Sequence, residues 1–161
     1  MEQQELGKKL NDLLMLEYDA VHAYITCIKN VDDDDISNHL TEFLSDHNHH
    51  VGRIVEQIRQ CDVEPKARPD FKGPFMKGLT GIMSKMGDRK ALQVMHQNEN
   101  LTNSAYDNAL KEDYPQYICD MLKEFQSDER RHRAWLEQKL EQLDTRQAEA
   151  KEAKPEERPR P

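Results

Sequence analysis

Adding 82 to a position early in this chain lands repeatedly on the same residue later in it. Leu10 falls on Leu92, Glu17 on Glu99, Ala23 and Tyr24 on Ala105 and Tyr106, Ile36 and Leu40 on Ile118 and Leu122. Glu42, Phe43, Ser45, Asp46 and His50 then fall on Glu124, Phe125, Ser127, Asp128 and His132. One offset held without a gap over this distance predicts two equivalent hairpins related by a pseudo-twofold axis.

The units are helical. Leu10, Leu13, Leu14, Leu16, Ala20, Val21, Ala23 and Tyr24 recur at helical intervals and predict a helix over about 4–29; Leu40, Phe43, Leu44, Val51, Ile54 and Ile58 predict another over about 36–60. The second unit repeats the pattern over about 89–111 and 117–143, with a short link containing Pro115. Asp32 to Asp35, between the first two helices, read as a cap for the second and as charge favouring its positive end, in preference to a cation site. Between Cys61 and Gly87 lie four of the six glycines and three of the seven prolines, with an apolar piece over 75–86 that predicts one small helix within a long crossover. The expected organisation is an all-α four-helix bundle over 1–144, two helical hairpins joined by that crossover, then a charged, Pro-rich disordered tail over 145–161.

Composition agrees with this class: 36% hydrophobic and 34% charged residues suit helices with one dry stripe and one wet face. A net charge of −8 argues against nucleic acid or an anionic membrane as partner and favours cations. No segment approaches the roughly 20 apolar residues of a membrane span, and nothing near Met1 resembles an export signal, so a cytoplasmic location is expected. Cys27, Cys61 and Cys119 are scattered without a Cys-x-x-Cys spacing and read as reduced thiols.

The repeat also carries polar residues onto apolar faces. Glu17 is flanked by Leu13, Leu14, Ala20 and Val21, and it lies two turns from Tyr24; Glu99 and Tyr106 repeat the pair. Glu129 and His132, three apart, share a face of the fourth helix. Burying several unpaired carboxylates costs several kcal/mol each, and a metal ion is one of the few partners that offsets such burials at one place. Glu-x-x-His on facing helices, with one Glu from each remaining helix, is what a di-metal site in a bundle requires. His22, His39, His49 and His96 lack a repeated counterpart of ligand type and read as surface or interhelical residues, with His96, one turn before Glu99, the nearest to a further ligand.

At these residues the chain resembles the ferritin-like superfamily. The stretch Asp128-Glu129-Arg130-Arg131-His132-Arg133-Ala134-Trp135-Leu136-Glu137 is similar to the corresponding helix of bacterioferritins, as is the first helix with Glu17 and Tyr24. Overall length, the crossover and the stretch from Glu99 to Tyr106 resemble more closely the small bacterial DUF2383-like ferritin-like proteins. The resemblance spans about residues 8–143 and implies two metal ions. Glu17 and Glu99 would be terminal carboxylates, Glu129 a bridge, and His50 and His132 would each give a ring nitrogen to one ion. Tyr24 and Tyr106 would hydrogen-bond ligating carboxylates, and Asp46 and Asp128 would orient the histidines across the axis.

The chain departs from that pattern at one position. Where repeat and family call for a second bridging Glu stands His47. Asp46, one residue away and rotated by about 100°, cannot replace it. His47 either adds a nitrogen ligand or points aside and leaves a coordination position open. Three carboxylates leave one positive charge of two divalent ions uncompensated, so a weaker or lopsided second position is expected. Carboxylate with imidazole suits iron, manganese or zinc, and the resemblance favours iron. The functional expectation is a di-iron protein reacting with oxygen or peroxide, in iron handling or oxidative-stress defence; the competing expectation is a non-catalytic metal-binding or interaction protein. Without an added fifth helix or a rubredoxin-like Cys pair, a monomer or homodimer is expected in place of a storage shell.

Overall fold

The computed structural model describes residues 1–68 and 87–153. Within them the chain forms four helices and no strand: α1 (Gln3–Ile28), α2 (Asp34–Gln60), α3 (Gly87–Ala109) and α4 (Gln116–Glu152). The first three match the periodicity to within a few residues. The small helix expected over 75–86 lies outside the described residues.

Local chemistry sets the boundaries. After α1, the Asn30 backbone N–H bonds the Cys27 carbonyl at 2.9 Å, and its side-chain amide bonds the Thr26 carbonyl at 2.7 Å. The Asp33 carboxylate accepts from the Ile36 N–H at 3.0 Å, and Asp34 and Asp35 occupy the first turn of α2, so this acidic run caps a helix. At the end of α2 the backbone turns through Asp62, at a left-handed φ of 53°. The returning segment is clamped to α1 by Asn11, which donates to the Glu64 carbonyl at 3.0 Å and accepts from the Lys66 N–H at 2.7 Å. Gly7 makes this approach possible: a Cβ there would come within 2.6 Å of Val63. Between α3 and α4 the Pro115 carbonyl accepts from Ile118 and Cys119, starting the last helix.

That helix runs beyond the expected end near residue 143. Thr145 to Glu152 carry no apolar stripe, but Arg, Gln, Ala, Glu and Lys are strong helix formers that extend a helix already nucleated by packing. Residues 154–161 lie outside the described residues. Arg89 pairs with Asp144, and Lys139 reaches Asp35 at 2.5 Å, tying α4 to the starts of α3 and α2.

α1 packs along α2 and α3 along α4, each pair a hairpin, and α1 also lies against α3. The core is two apolar clusters. One holds Leu10, Leu14, Ile54, Ile58, Tyr106, Ile118, Leu122 and Phe125; the other holds Tyr24, Ile36, Leu40, Phe43, Leu92, Met95 and Leu136. Adding or subtracting the repeat offset converts most of one set into the other, so the pseudo-twofold axis runs between them. Each buried Leu or Ile contributes about 1.5–3 kcal/mol, enough for the two clusters to hold a polar layer between them. Cys27, Cys61 and Cys119 are free thiols. No helix among the described residues is long and apolar enough to cross a membrane.

Candidate metal centre

Six ionisable side chains from all four helices meet between the apolar clusters: Glu17 from α1, His47 and His50 from α2, Glu99 from α3, and Glu129 and His132 from α4. All are fully buried. They form two overlapping groups able to hold a metal ion. Ligand atoms of Glu17, His47, His50 and Glu129 lie within 4.8 Å of one another, as do those of His47, Glu99, Glu129 and His132. His47 and Glu129 belong to both.

His47 therefore turns inward. Its Nδ1 lies 2.8 Å from Glu17 Oε2 and 3.6 Å from Glu129 Oε1, and its Nε2 lies 3.5 Å from Glu99 Oε1. His50 Nδ1 lies 3.5 Å from Glu17 Oε1 and 3.4 Å from Glu129 Oε1; His132 Nδ1 lies 3.9 Å from Glu99 Oε1.

Supporting contacts obey the pseudo-twofold axis. Tyr24 donates to Glu99 Oε1 at 2.5 Å, and Tyr106 donates to Glu17 Oε1. Asp46 Oδ2 lies 3.0 Å from His132 Nε2, and Asp128 Oδ2 lies 3.3 Å from His50 Nε2. Phe43 stacks on His132 and Phe125 on His50, with centroids 4.2 and 4.1 Å apart. Each outer imidazole is thus stacked on one aromatic ring and held at Nε2, which leaves Nδ1 facing the centre.

The donor set fits a metal. Among the described residues, the buried side-chain atoms without a hydrogen-bond partner are His47 Nε2, His50 Nδ1, Glu99 Oε2, both oxygens of Glu129, His132 Nδ1 and the amide nitrogen of Asn98. All but the last belong to residues of this centre. Leaving so many polar atoms unpaired costs about 1–3 kcal/mol each, and a cation at their convergence satisfies them together.

Protons balance the charge in the metal-free centre. Burial alone would raise Glu17, but the charge and hydrogen bond of His47, with help from His50, hold it at about 2. Glu129 goes the other way: burial, reinforced by Glu17 and Glu99, lifts it to about 8 against His47 and His50. Burial opposes protonation of His47 and His50, yet the carboxylates outweigh it, raising His47 well above the usual imidazole range and His50 to about 9. For His132 burial prevails, with the His47 cation adding to it, and brings the ring down to about 4. Tyr24 and Tyr106 are pushed up by burial and by their carboxylate neighbours, so both remain donors.

His96 is not part of the cluster; it pairs with Glu137 at 3.0 Å near the surface. His39 stacks on Trp135, with centroids 4.6 Å apart. Two contributors escaped the sequence reading. Asn103 donates from one amide to the backbone carbonyls of Glu99 and Glu129, at 2.8 and 3.0 Å, joining α3 to α4 at the donor level. Arg131 contacts both Asp46 and Asp128. Their repeat counterparts are Val21 and His49, so the repeat gave no signal for either.

Fold and site together define a four-helix protein with a buried carboxylate–imidazole centre able to hold a metal ion. The family described as "Domain of unknown function (DUF2383)" matches residues 5–112, and the chain belongs to that family. The match spans α1 to α3, with Glu17, His47, His50 and Glu99; Glu129 and His132 lie beyond it. No curated protein and no solved structure matches the chain.

Proposed function

We propose that this chain is a ferritin-like non-haem di-metal carboxylate protein, with iron the resident metal, that reacts with oxygen or peroxide in iron handling or oxidative-stress defence. The observation that carries this reading is the clustering of six fully buried carboxylates and imidazoles from four helices, with partnerless donor atoms on α2, α3 and α4. Glu17, His47, His50 and Glu129 would hold one ion, and His47, Glu99, Glu129 and His132 the other, with His47 and Glu129 common to both. Such ions supply Lewis acidity and one-electron redox chemistry. The chain's own groups do the rest. Tyr24 and Tyr106 keep Glu99 and Glu17 oriented, Asp46 and Asp128 fix the outer imidazoles, and the flanking apolar clusters exclude bulk water. The proposed partners are metal ions and the small oxidant, acting on a cytoplasmic monomer or homodimer.

One feature favours a second reading. With His47 in place of a fourth carboxylate, three carboxylates face two ions, which suits a single ion or a lopsided pair tying the bundle together without catalysis. Anaerobic titration with ferrous iron followed by admission of air separates the two. The first reading expects about two ions per chain, oxygen consumption and the near-ultraviolet absorption of ferric iron. The second expects zinc to bind as readily as iron, and no oxygen uptake. Failure to bind either metal overturns both.

A further inference from the structure

Apart from His47 and Glu129, the donors of the centre repeat between the hairpins, and so do the aspartates and aromatic rings behind them. Arg131 does not. Its counterpart across the axis is His49, an exposed residue. Yet Arg131 reaches both halves: its Nη2 donates to Asp46 Oδ2 at 2.7 Å and to Asp128 Oδ1 at 2.9 Å. Asp46 Oδ2 faces His132 Nε2, and Asp128 Oδ2 faces His50 Nε2. The guanidinium carbon also sits over Phe43, 5.7 Å from its centroid, and Phe43 is the ring stacked on His132.

We propose that Arg131 is a positioning residue shared by both metal positions, holding Asp46 and Asp128 on one nitrogen and so setting the orientation of His50 and His132 together. The proposal rests on the metal reading above in one respect, that Nδ1 of each ring is a ligand. The rest is geometry. Two carboxylates drawn to one point repel each other unless a cation lies between them. Both are partly exposed and, without a fixed partner, free to take other rotamers. Arg131 and the two aspartates are all solvent-accessible, with side-chain exposures of 51%, 32% and 30%, so the pairs add little to fold stability. Their effect is to restrict where two imidazoles point. Because one group serves both relays, its loss is felt at both metal positions, whereas loss of either aspartate is felt mainly at one.

Cobalt(II) is a suitable probe, since its visible absorption reports coordination without any turnover. Wild type, Arg131→Gln, Arg131→Lys, Asp46→Asn and Asp128→Asn would be titrated, with melting of the metal-free proteins measured alongside. Arg131→Gln is expected to melt close to wild type and to weaken both binding events by about 10-fold each, the lower end of what support residues of this kind contribute. Each aspartate variant is expected to weaken chiefly one event. Arg131→Lys, which keeps a cation able to donate to both carboxylates, should recover most of the loss. Unchanged affinities in Arg131→Gln, or weakening of one event alone, overturn the proposal. If wild type takes up no cobalt, the metal reading fails and nitrogen NMR of the metal-free protein decides the role of Arg131. Displacement of the Nε2 resonances of both His50 and His132 in Arg131→Gln supports it, and displacement of one or neither overturns it.

Discussion

His47 and Glu129 face each other at the two positions that the repeat makes equivalent, His47 Nδ1 lying 3.6 Å from Glu129 Oε1. The inner pair is thus one imidazole and one carboxylate, while every other donor has a like partner across the axis. In the metal-free protein this pairing is favourable, since a protonated His47 offsets Glu17 and Glu99 from within while Glu129, raised to about 8, keeps its proton.

Replacing His47 by Glu reverses that balance. The variant His47→Glu puts a fourth carboxylate in the centre, so the metal-free protein is expected to melt at a lower temperature than wild type. With metal present the order should invert, because an anion replaces a neutral donor beside each cation and tightens the second binding event by roughly tenfold or more. Calorimetric zinc titration and metal analysis read this directly; an unchanged second event would count against His47 as the source of the asymmetry.

The tyrosine–glutamate pairs make a separate prediction. Tyr24→Phe and Tyr106→Phe each leave a fully buried carboxylate oxygen without its phenol partner. Each is expected to cost about 1–3 kcal/mol of metal-free stability, measured by denaturant unfolding, with the helical content unchanged. By the symmetry of the contacts the two losses should be similar; a loss in one variant alone would show that the halves are not supported equally.

The protons held by the centre give stability and metal binding opposite responses above neutral pH. Burial and the neighbouring carboxylates raise Glu129 from 4.5 to about 8, and Glu129 and Glu17 raise His50 from 6.5 to about 9 against burial. A raised folded value means that the native state keeps protons the unfolded chain has released. The stabilising contribution is therefore present at low pH and lost as pH rises through about 8 for Glu129 and about 9 for His50. Melting of the metal-free protein should fall between pH 6.5 and 9, while zinc affinity should rise over the same window because bound metal displaces those protons. Calorimetry in buffers of different ionisation enthalpy would register the release. On the acid side Glu17, at about 2, and His132, at about 4, act in the opposite sense, and their contributions disappear as pH falls through those values.

Gly7 offers a test far from the centre. A methyl group there would meet Val63 at 2.6 to 2.8 Å and Cys61 at 3.1 Å, so the segment after α2 must shift outward. Gly7→Ala is expected to destabilise the fold by about 1–3 kcal/mol despite the better helix propensity of Ala, read as a lower melting temperature with metal stoichiometry unchanged. A stabilised variant would mean that the segment yields without cost.

The fold was legible because two independent regularities agree. The helical spacing of Leu10, Leu14 and Tyr24 marks a buried face, and the offset that carries Leu10 onto Leu92 and Tyr24 onto Tyr106 marks a second hairpin. The end of α4 was not legible: Thr145 to Glu152 bury nothing, and only intrinsic propensity continues them as helix. Within the site, helical position indicates which face His47 occupies but not where each ring nitrogen lies; that depends on how closely α1 and α3 approach, which sequence spacing within α2 does not encode. Asn103 and Arg131 stayed hidden because they act across helices on groups chosen by packing, a carbonyl in one case and a pair of carboxylates in the other.

The division of donors between the hairpins has a further consequence. Each candidate metal position takes three side chains from one hairpin and one, His47 or Glu129, from the other. Two separate copies of a single hairpin could assemble the same cage, but any residue chosen for the exchanged arm would then appear twice, as two glutamates or two histidines. Tethering the halves in one polypeptide removes that constraint and lets a single substitution alter one arm alone. The unlike pair at the heart of this bundle is a state open to a fused chain and closed to a symmetric dimer.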